Sequence, residues 1–140
     1  NSNYSSISQC ASSGNIIANS GSVGGILANQ YALCSIKNCY SIANVKAEGS
    51  YSSRVYGIGG SSDNCYFAGT VSGADINYVY PIGSNTNSYY DSEKTKISGK
   101  PGALTTKQMK QQASFQGWDF DNIWTIQEGV DYPKLRSLQK

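Results

Sequence analysis

Histidine is absent altogether. With it go the Ser-His and Cys-His nucleophile pairs, the commonest general base near neutral pH and the usual nitrogen ligands of zinc. Charge is also sparse, at 14% of residues, and the lysines and arginines form no clustered stripe. Nucleic acid would demand such a stripe, so no nucleic-acid partner is expected. No apolar run approaches the roughly 20 residues of a membrane span, and stretches such as residues 26–28 are too short even for a signal-peptide core. No membrane insertion is expected, and any export signal lies outside these residues.

What is present is glycine, serine, asparagine and tyrosine, in a chain of 140 residues with net charge +2. That length fits one domain able to bury a core without metals or disulfides. The mixture is poor for long helices and suits short strands joined by tight turns, so the expected fold class is all-β. Residues 1–92 carry three bases against four acids, a net −1, and residues 93–140 carry eight bases against five acids, a net +3. Neither part is a polybasic surface.

Self-comparison exposes a repeat. Ile7, Cys10 and Ala11 lead to Val23-Gly24-Gly25-Ile26; Ile36, Cys39 and Tyr40 lead to Val55-Tyr56-Gly57-Ile58; Asp63, Cys65 and Tyr66 lead to Val79-Tyr80-Pro81-Ile82; Ser88-Tyr89-Tyr90 begins a fourth unit. The leading positions Cys10, Cys39, Cys65 and Ser88 lie 29, 26 and 23 residues apart, and the length differences fall outside the patterned residues, for instance at 28–35. Indels confined to loops around a constant cross-section produce this result. A unit of about 25 residues cannot bury its apolar positions alone, but can when similar units stack about 4.8 Å apart. The expected architecture is a short parallel β-solenoid of three to four coils. Cys39, Ala43 and Val45, and likewise Cys65, Phe67 and Val71, fit an inward phase, with Tyr40 and Tyr66 on the other. Cys10, Cys39, Cys65, Val23, Val55 and Val79 form the expected core ladder.

The N-C-Y element, the following V-x-G and the G-G-I or G-I-G corner resemble the GLUG repeats of exported bacterial proteins, found in adhesin-like chains and in the non-catalytic region of some IgA-cleaving peptidases. The resemblance covers about residues 7–92. The usual G-L-V-G corner is represented here by Gly25-Ile26-Leu27-Ala28, Gly57-Ile58-Gly59-Gly60 and Ile82-Gly83.

From Leu104 the texture changes. Thr105 as N-cap, Gln108 as its capping-box partner and Leu104 with Met109 as a hydrophobic staple predict a helix of about ten residues, stopped near Gly117. Ile123, Trp124 and Ile126, then the stretch 132–136, predict one or two short strands. The arrangement is similar to the segment that commonly ends GLUG-type arrays. Residues 1–98 are thus expected to be the repeat region and 99–140 a capping segment of the same unit. Met109, Phe115, Trp118, Phe120 and Trp124 would plug the open end of the last coil.

Three of the four cysteines sit one repeat apart, which a column of buried thiols explains without pairing, since stacked Cβ atoms about 4.8 Å apart exceed the roughly 3.5–4.5 Å of a disulfide. Cys34 is out of register and could pair with a neighbour. Without a C-x₂-C pair no metal site is expected, and no cofactor. Asp91 with Glu93, and Asp119 with Asp121, are i,i+2 carboxylate pairs that a glycosidase or calcium-assisted lyase could use. Their surroundings read instead as solvated turns, and residues 119–122 lack the further ligands of an EF-hand. No catalytic residue is assigned. Tyr40, Tyr66 and Tyr89 recur at one position; facing outward they would offer an aromatic column to sugar rings or a partner protein, and otherwise they stack along a sheet. The expected function is a non-catalytic structural or adhesive module, secreted or on the bacterial cell surface, with a host or matrix protein or a glycan as partner. The alternative is a carbohydrate-binding or carbohydrate-processing β-helix using the tyrosines and Asp91/Glu93.

Overall fold

A computed structural model describes residues 5–28, 34–49 and 53–139, which are nearly all strand and turn. The first repeat supplies β1 (Ser5–Ser8), β2 (Ala11–Ser12), β3 (Asn15–Ala18) and β4 (Val23–Gly24). The second supplies β5 (Cys34–Lys37), β6 (Tyr40–Ser41), β7 (Asn44–Ala47) and the long β8 (Val55–Asp63). The third supplies β9 (Tyr66–Phe67), β10 (Thr70–Ser72) and β11 (Val79–Thr86). Then come β12 (Tyr89–Asp91), the four-residue helix α1 (Ser92–Thr95) and β13 (Ala103–Leu104), and lastly an antiparallel pair, β14 (Trp124–Thr125) with β15 (Lys134–Leu135).

Strands of successive repeats pair in parallel. One sheet runs β1-β5-β8-β11 with β4 also on β8, a second runs β3-β7-β10, and a third runs β2-β6-β9-β12-β13. Equivalent residues face each other: Ile7 with Ile36, Ile16 with Val45 and Val45 with Val71, Val23 with Val55 and Val55 with Val79. The insertion at 28–35 now has a structural meaning. It separates β4 from β5, which pair with opposite ends of the uninterrupted β8; residues 29–33 lie outside the described residues.

Each repeat turns at one position. Gln9, Asn38, Asn64 and Asn87 all adopt left-handed backbone, with φ between 49° and 53°, a conformation that asparagine tolerates better than most side chains. The cysteine that follows closes the corner. The thiols of Cys10, Cys39 and Cys65 donate to the carbonyls of Ser8, Lys37 and Asp63, two residues back, at 3.2–3.3 Å. Between repeats, the Cys39 Sγ accepts from the Cys10 N–H at 3.4 Å, and in the fourth repeat the Ser88 Oγ accepts in the same way from the Cys65 N–H at 3.1 Å.

The first core lies between the sheets and contains Ile36, Cys39, Ala43, Val45, Val55, Ile58, Cys65, Phe67 and Val79, with Val71 packed against it. Burial on β7 alternates strictly, Val45 and Ala47 inward and Asn44 and Lys46 outward, as period-two geometry requires. Gly57 of the V-x-G element is set by this core, for a Cβ there would collide with the Phe67 ring and the Pro81 carbonyl. Burying each such valine or isoleucine contributes about 1.5–3 kcal/mol.

Two expectations need correction. Cys39, Cys65, Val23, Val55 and Val79 are buried, but Cys10 is exposed, because it lies in an edge strand's repeat and has a neighbour on one side alone among the described residues. The ten-residue helix after Leu104 is absent from the described residues. The capping box does form, Gln108 N–H donating to Thr105 Oγ1 and Thr105 N–H to Gln108 Oε1, yet the chain makes two 3₁₀ turns, Gln108–Lys110 and Gln112–Ser114, around an extended Gln111. Met109 and Phe115 both point into one cluster, and at a separation of six they would lie on different faces of a continuous α-helix.

Candidate functional site

The third sheet carries apolar side chains on both faces. Within β6, β9 and β12 the second residue of each pair, Ser41, Phe67 or Tyr90, faces the other strands, and the first, Tyr40, Tyr66 or Tyr89, faces away from them. The tyrosine rings form a column, with Tyr40 and Tyr66 stacked at 5.0 Å and 3° between planes. From the sequence this phase could face solvent or be covered. It is covered: Tyr66 is 0% and Tyr40 8% exposed, and Tyr89 is half-buried.

The cover is the chain's own C-terminal segment. Met109, Phe115, Trp118, Trp124, Tyr132 and Leu135 make a second buried cluster with Tyr40 and Tyr66, with Phe120 partly buried beside them. Trp118 stacks on Tyr66 at 6.4 Å and packs at a tilt against Trp124 at 4.6 Å, and Tyr132 stacks on Tyr66 at 5.9 Å. Polar atoms fix the docking: Tyr66 donates to the Pro133 carbonyl at 2.6 Å and the Trp118 indole to the Asn87 carbonyl at 2.8 Å. Burial, with Tyr40 nearby, holds the Tyr66 hydroxyl well above its ordinary pKa. The apolar residues expected to plug the open end of the last coil thus pack against the tyrosine face of the third sheet. A ligand role for Tyr40, Tyr66 and Tyr89 would require this segment to lift away.

Asp91 also departs from expectation. It is 0% exposed, not a solvated turn acid. Its carboxylate accepts from Tyr132 Oη at 2.6 Å, Thr106 Oγ1 at 2.7 Å, and the backbone N–H groups of Glu93 and Lys94 at 3.0 Å each. Burial opposes the charge, but the hydrogen bonds, that from Tyr132 foremost, outweigh it and hold Asp91 below the usual carboxylate range. Burial and the bond to Asp91 push the Tyr132 hydroxyl up. Glu93 is exposed and accepts from the Thr106 N–H. Asp119 closes a turn by accepting from the N–H groups of Asp121 and Asn122, and among the described residues no three metal-ligating side chains cluster. The four thiols are free, with Cys34 half-buried. The bond to Cys39, reinforced by burial, raises the Cys65 thiol.

The second sheet presents a different surface, not among the sites expected from the sequence. The outward residues of β3, β7 and β10 are exposed, and their polar ends form a hydrogen-bonded row. Thr70 Oγ1 donates to Asn44 Oδ1, and Asn44 Nδ2 donates to Asn15 Oδ1, each at 2.9 Å. The signal was available as Asn15-x-Ile17, Asn44-x-Lys46 and Thr70-x-Ser72, at equivalent places in three repeats.

Over 117 aligned residues the chain is 33% identical to a protein of Evansella cellulosilytica described as a "Putative Gly-rich membrane protein", the alignment covering 81% of this chain and 12% of that protein. This chain thus spans about an eighth of the relative's length. No family model and no solved structure matches. No helix among the described residues is long and apolar enough to cross a membrane.

Proposed function

We propose that this chain is a non-catalytic structural or adhesive module: a GLUG-type parallel β-solenoid, laterally clamped by its C-terminal segment, within a larger protein exposed at the bacterial surface. One observation carries the reading. Residues at the same place in successive repeats pair in parallel register in all three sheets of the repeat region, as in Ala11 with Tyr40, Tyr40 with Tyr66 and Tyr66 with Tyr89, beside a recurrent left-handed corner. Units related in this way bury one another's apolar faces and build a rigid rod segment. Of the four acids weighed for catalysis, Asp91, Glu93 and Asp119 accept backbone N–H groups, which favours a scaffold over a hydrolase. The relative's name, which places that protein at a membrane, agrees with a surface location.

The test is labelling of cells that produce the full protein, using antibodies raised against residues 1–140. Staining of intact cells supports the reading, and staining only after permeabilisation overturns it.

A further inference from the structure

The second sheet differs from the third in having nothing over its outer face among the described residues. Asn15, Asn44 and Thr70 make one outward row and Ile17, Lys46 and Ser72 the next, and together they line a shallow depression of about 180 Å³. The two rows differ in chemistry. The first is a chain of amides and a hydroxyl already aligned by its own hydrogen bonds. The second places Ile17, 59% exposed, beside a lysine and a serine.

Charge narrows the class of ligand. Lys46 is paired with Glu48 at 3.3 Å, so the track is close to neutral and matches an uncharged partner rather than an anionic one. Spacing narrows it further. Residues in one row repeat about every 4.8 Å, so two repeats advance about 9.6 Å, close to the rise of one disaccharide in an extended β-1,4-linked chain. Such a chain offers alternating hydroxyls to the amide row and an apolar sugar face to Ile17. Side chains that hold each other in place lose little freedom on binding, which favours affinity from few contacts.

We propose that the outer face of β3, β7 and β10 is a binding track for an uncharged, extended β-1,4-linked glycan, with Asn15, Asn44 and Thr70 as its hydrogen-bonding rail. The proposal rests on the adhesive reading for its biological setting and on the track alone for its chemistry.

The experiment is an NMR titration of ¹⁵N-labelled protein of residues 1–140 with cellohexaose, chitohexaose and β-1,4-mannohexaose, with α-linked maltohexaose as control. At least one β-linked hexamer is expected to shift the side-chain amides of Asn15 and Asn44 and the backbone of Ser72, maltohexaose shifting them less. Asn44→Ala should weaken that binding about tenfold, as loss of one or two hydrogen bonds implies. Thr70→Val, which keeps the shape of the side chain, should weaken it in the same direction, guarding against an effect of Asn44→Ala on stacking. Absence of shifts with all three β-linked hexamers overturns the track, as do shifts confined to residues 104–139. Cell-surface staining together with failed titration would remove the glycan track and leave the surface module standing.

Discussion

At the scale of single residues, Asp91 is the most consequential polar group, because one buried carboxylate ties the start of α1 to Thr106 and Tyr132. Asp91→Ala should lower unfolding stability at pH 7 by about 3 kcal/mol, since charge-assisted bonds are lost and the Tyr132 hydroxyl is left buried without this partner. Chemical denaturation read by tryptophan fluorescence would measure it. Because the folded carboxyl titrates below its unfolded value, its contribution is present above about pH 4 and fades as pH falls through the folded value. Tyr132 has the opposite sign: raised in the fold, it contributes below about pH 10 and fades as pH rises beyond. Stability plotted against pH should therefore lose its acid shoulder in Asp91→Asn and its alkaline one in Tyr132→Phe. Neither partnership was legible in the sequence, as Asp91 and Tyr132 lie 41 residues apart and nothing local marks the pair.

The cysteines offer a second prediction at this scale. Alkylation of the native protein at mildly alkaline pH should modify Cys10 first, while Cys39 and Cys65 react only on unfolding, as mass spectrometry of peptides would report. Equal modification of Cys39 and Cys10 in the folded state would contradict their burial. The column itself was readable from the repeat spacing. The exposure of Cys10 was not, because spacing alone does not say which repeat lacks a neighbour.

At the scale of elements, β7 gives the sharpest contrast between neighbours. Val45→Asp buries an unpaired charge and should cost several kcal/mol, enough to abolish cooperative thermal unfolding, whereas Lys46→Ser next to it should stay within about 0.5 kcal/mol. Circular dichroism melts of the two variants would decide. This alternation was legible because an inward residue in a two-period strand has no other way to be satisfied. The segment after Leu104 was misread for the complementary reason. Its capping signals were genuine and local, but the path beyond Met109 is dictated by Phe115, which must reach Tyr66 and Tyr89, and tertiary packing overrode the helical start.

For the molecule as a whole, the C-terminal segment decides whether the third sheet is wet or dry. A chain ending at residue 103 would lose Met109, Phe115, Trp118 and Trp124, each contributing about 1.5–3 kcal/mol, against a typical total of about 5–15. It should precipitate or self-associate through the uncovered tyrosine face, seen by size-exclusion chromatography with light scattering. A soluble folded monomer would show that the segment is dispensable. The sequence displayed both partners, a tyrosine column and an aromatic tail, without revealing that they meet, since the open end of a stack and its bare side call for the same apolar side chains.

A chain is synthesised from its N-terminus, at about 5–20 residues per second. Tyr40 and Tyr66 emerge long before Trp118, Trp124 and Pro133, so for several seconds the column stands bare and the hydroxyl of Tyr66 has no carbonyl to meet. The lateral docking of the tail is therefore also a timing device. It delays completion of this cluster until residues 109–135 have been made, and whatever handles the nascent chain during that interval meets an aromatic stripe that the folded domain no longer shows.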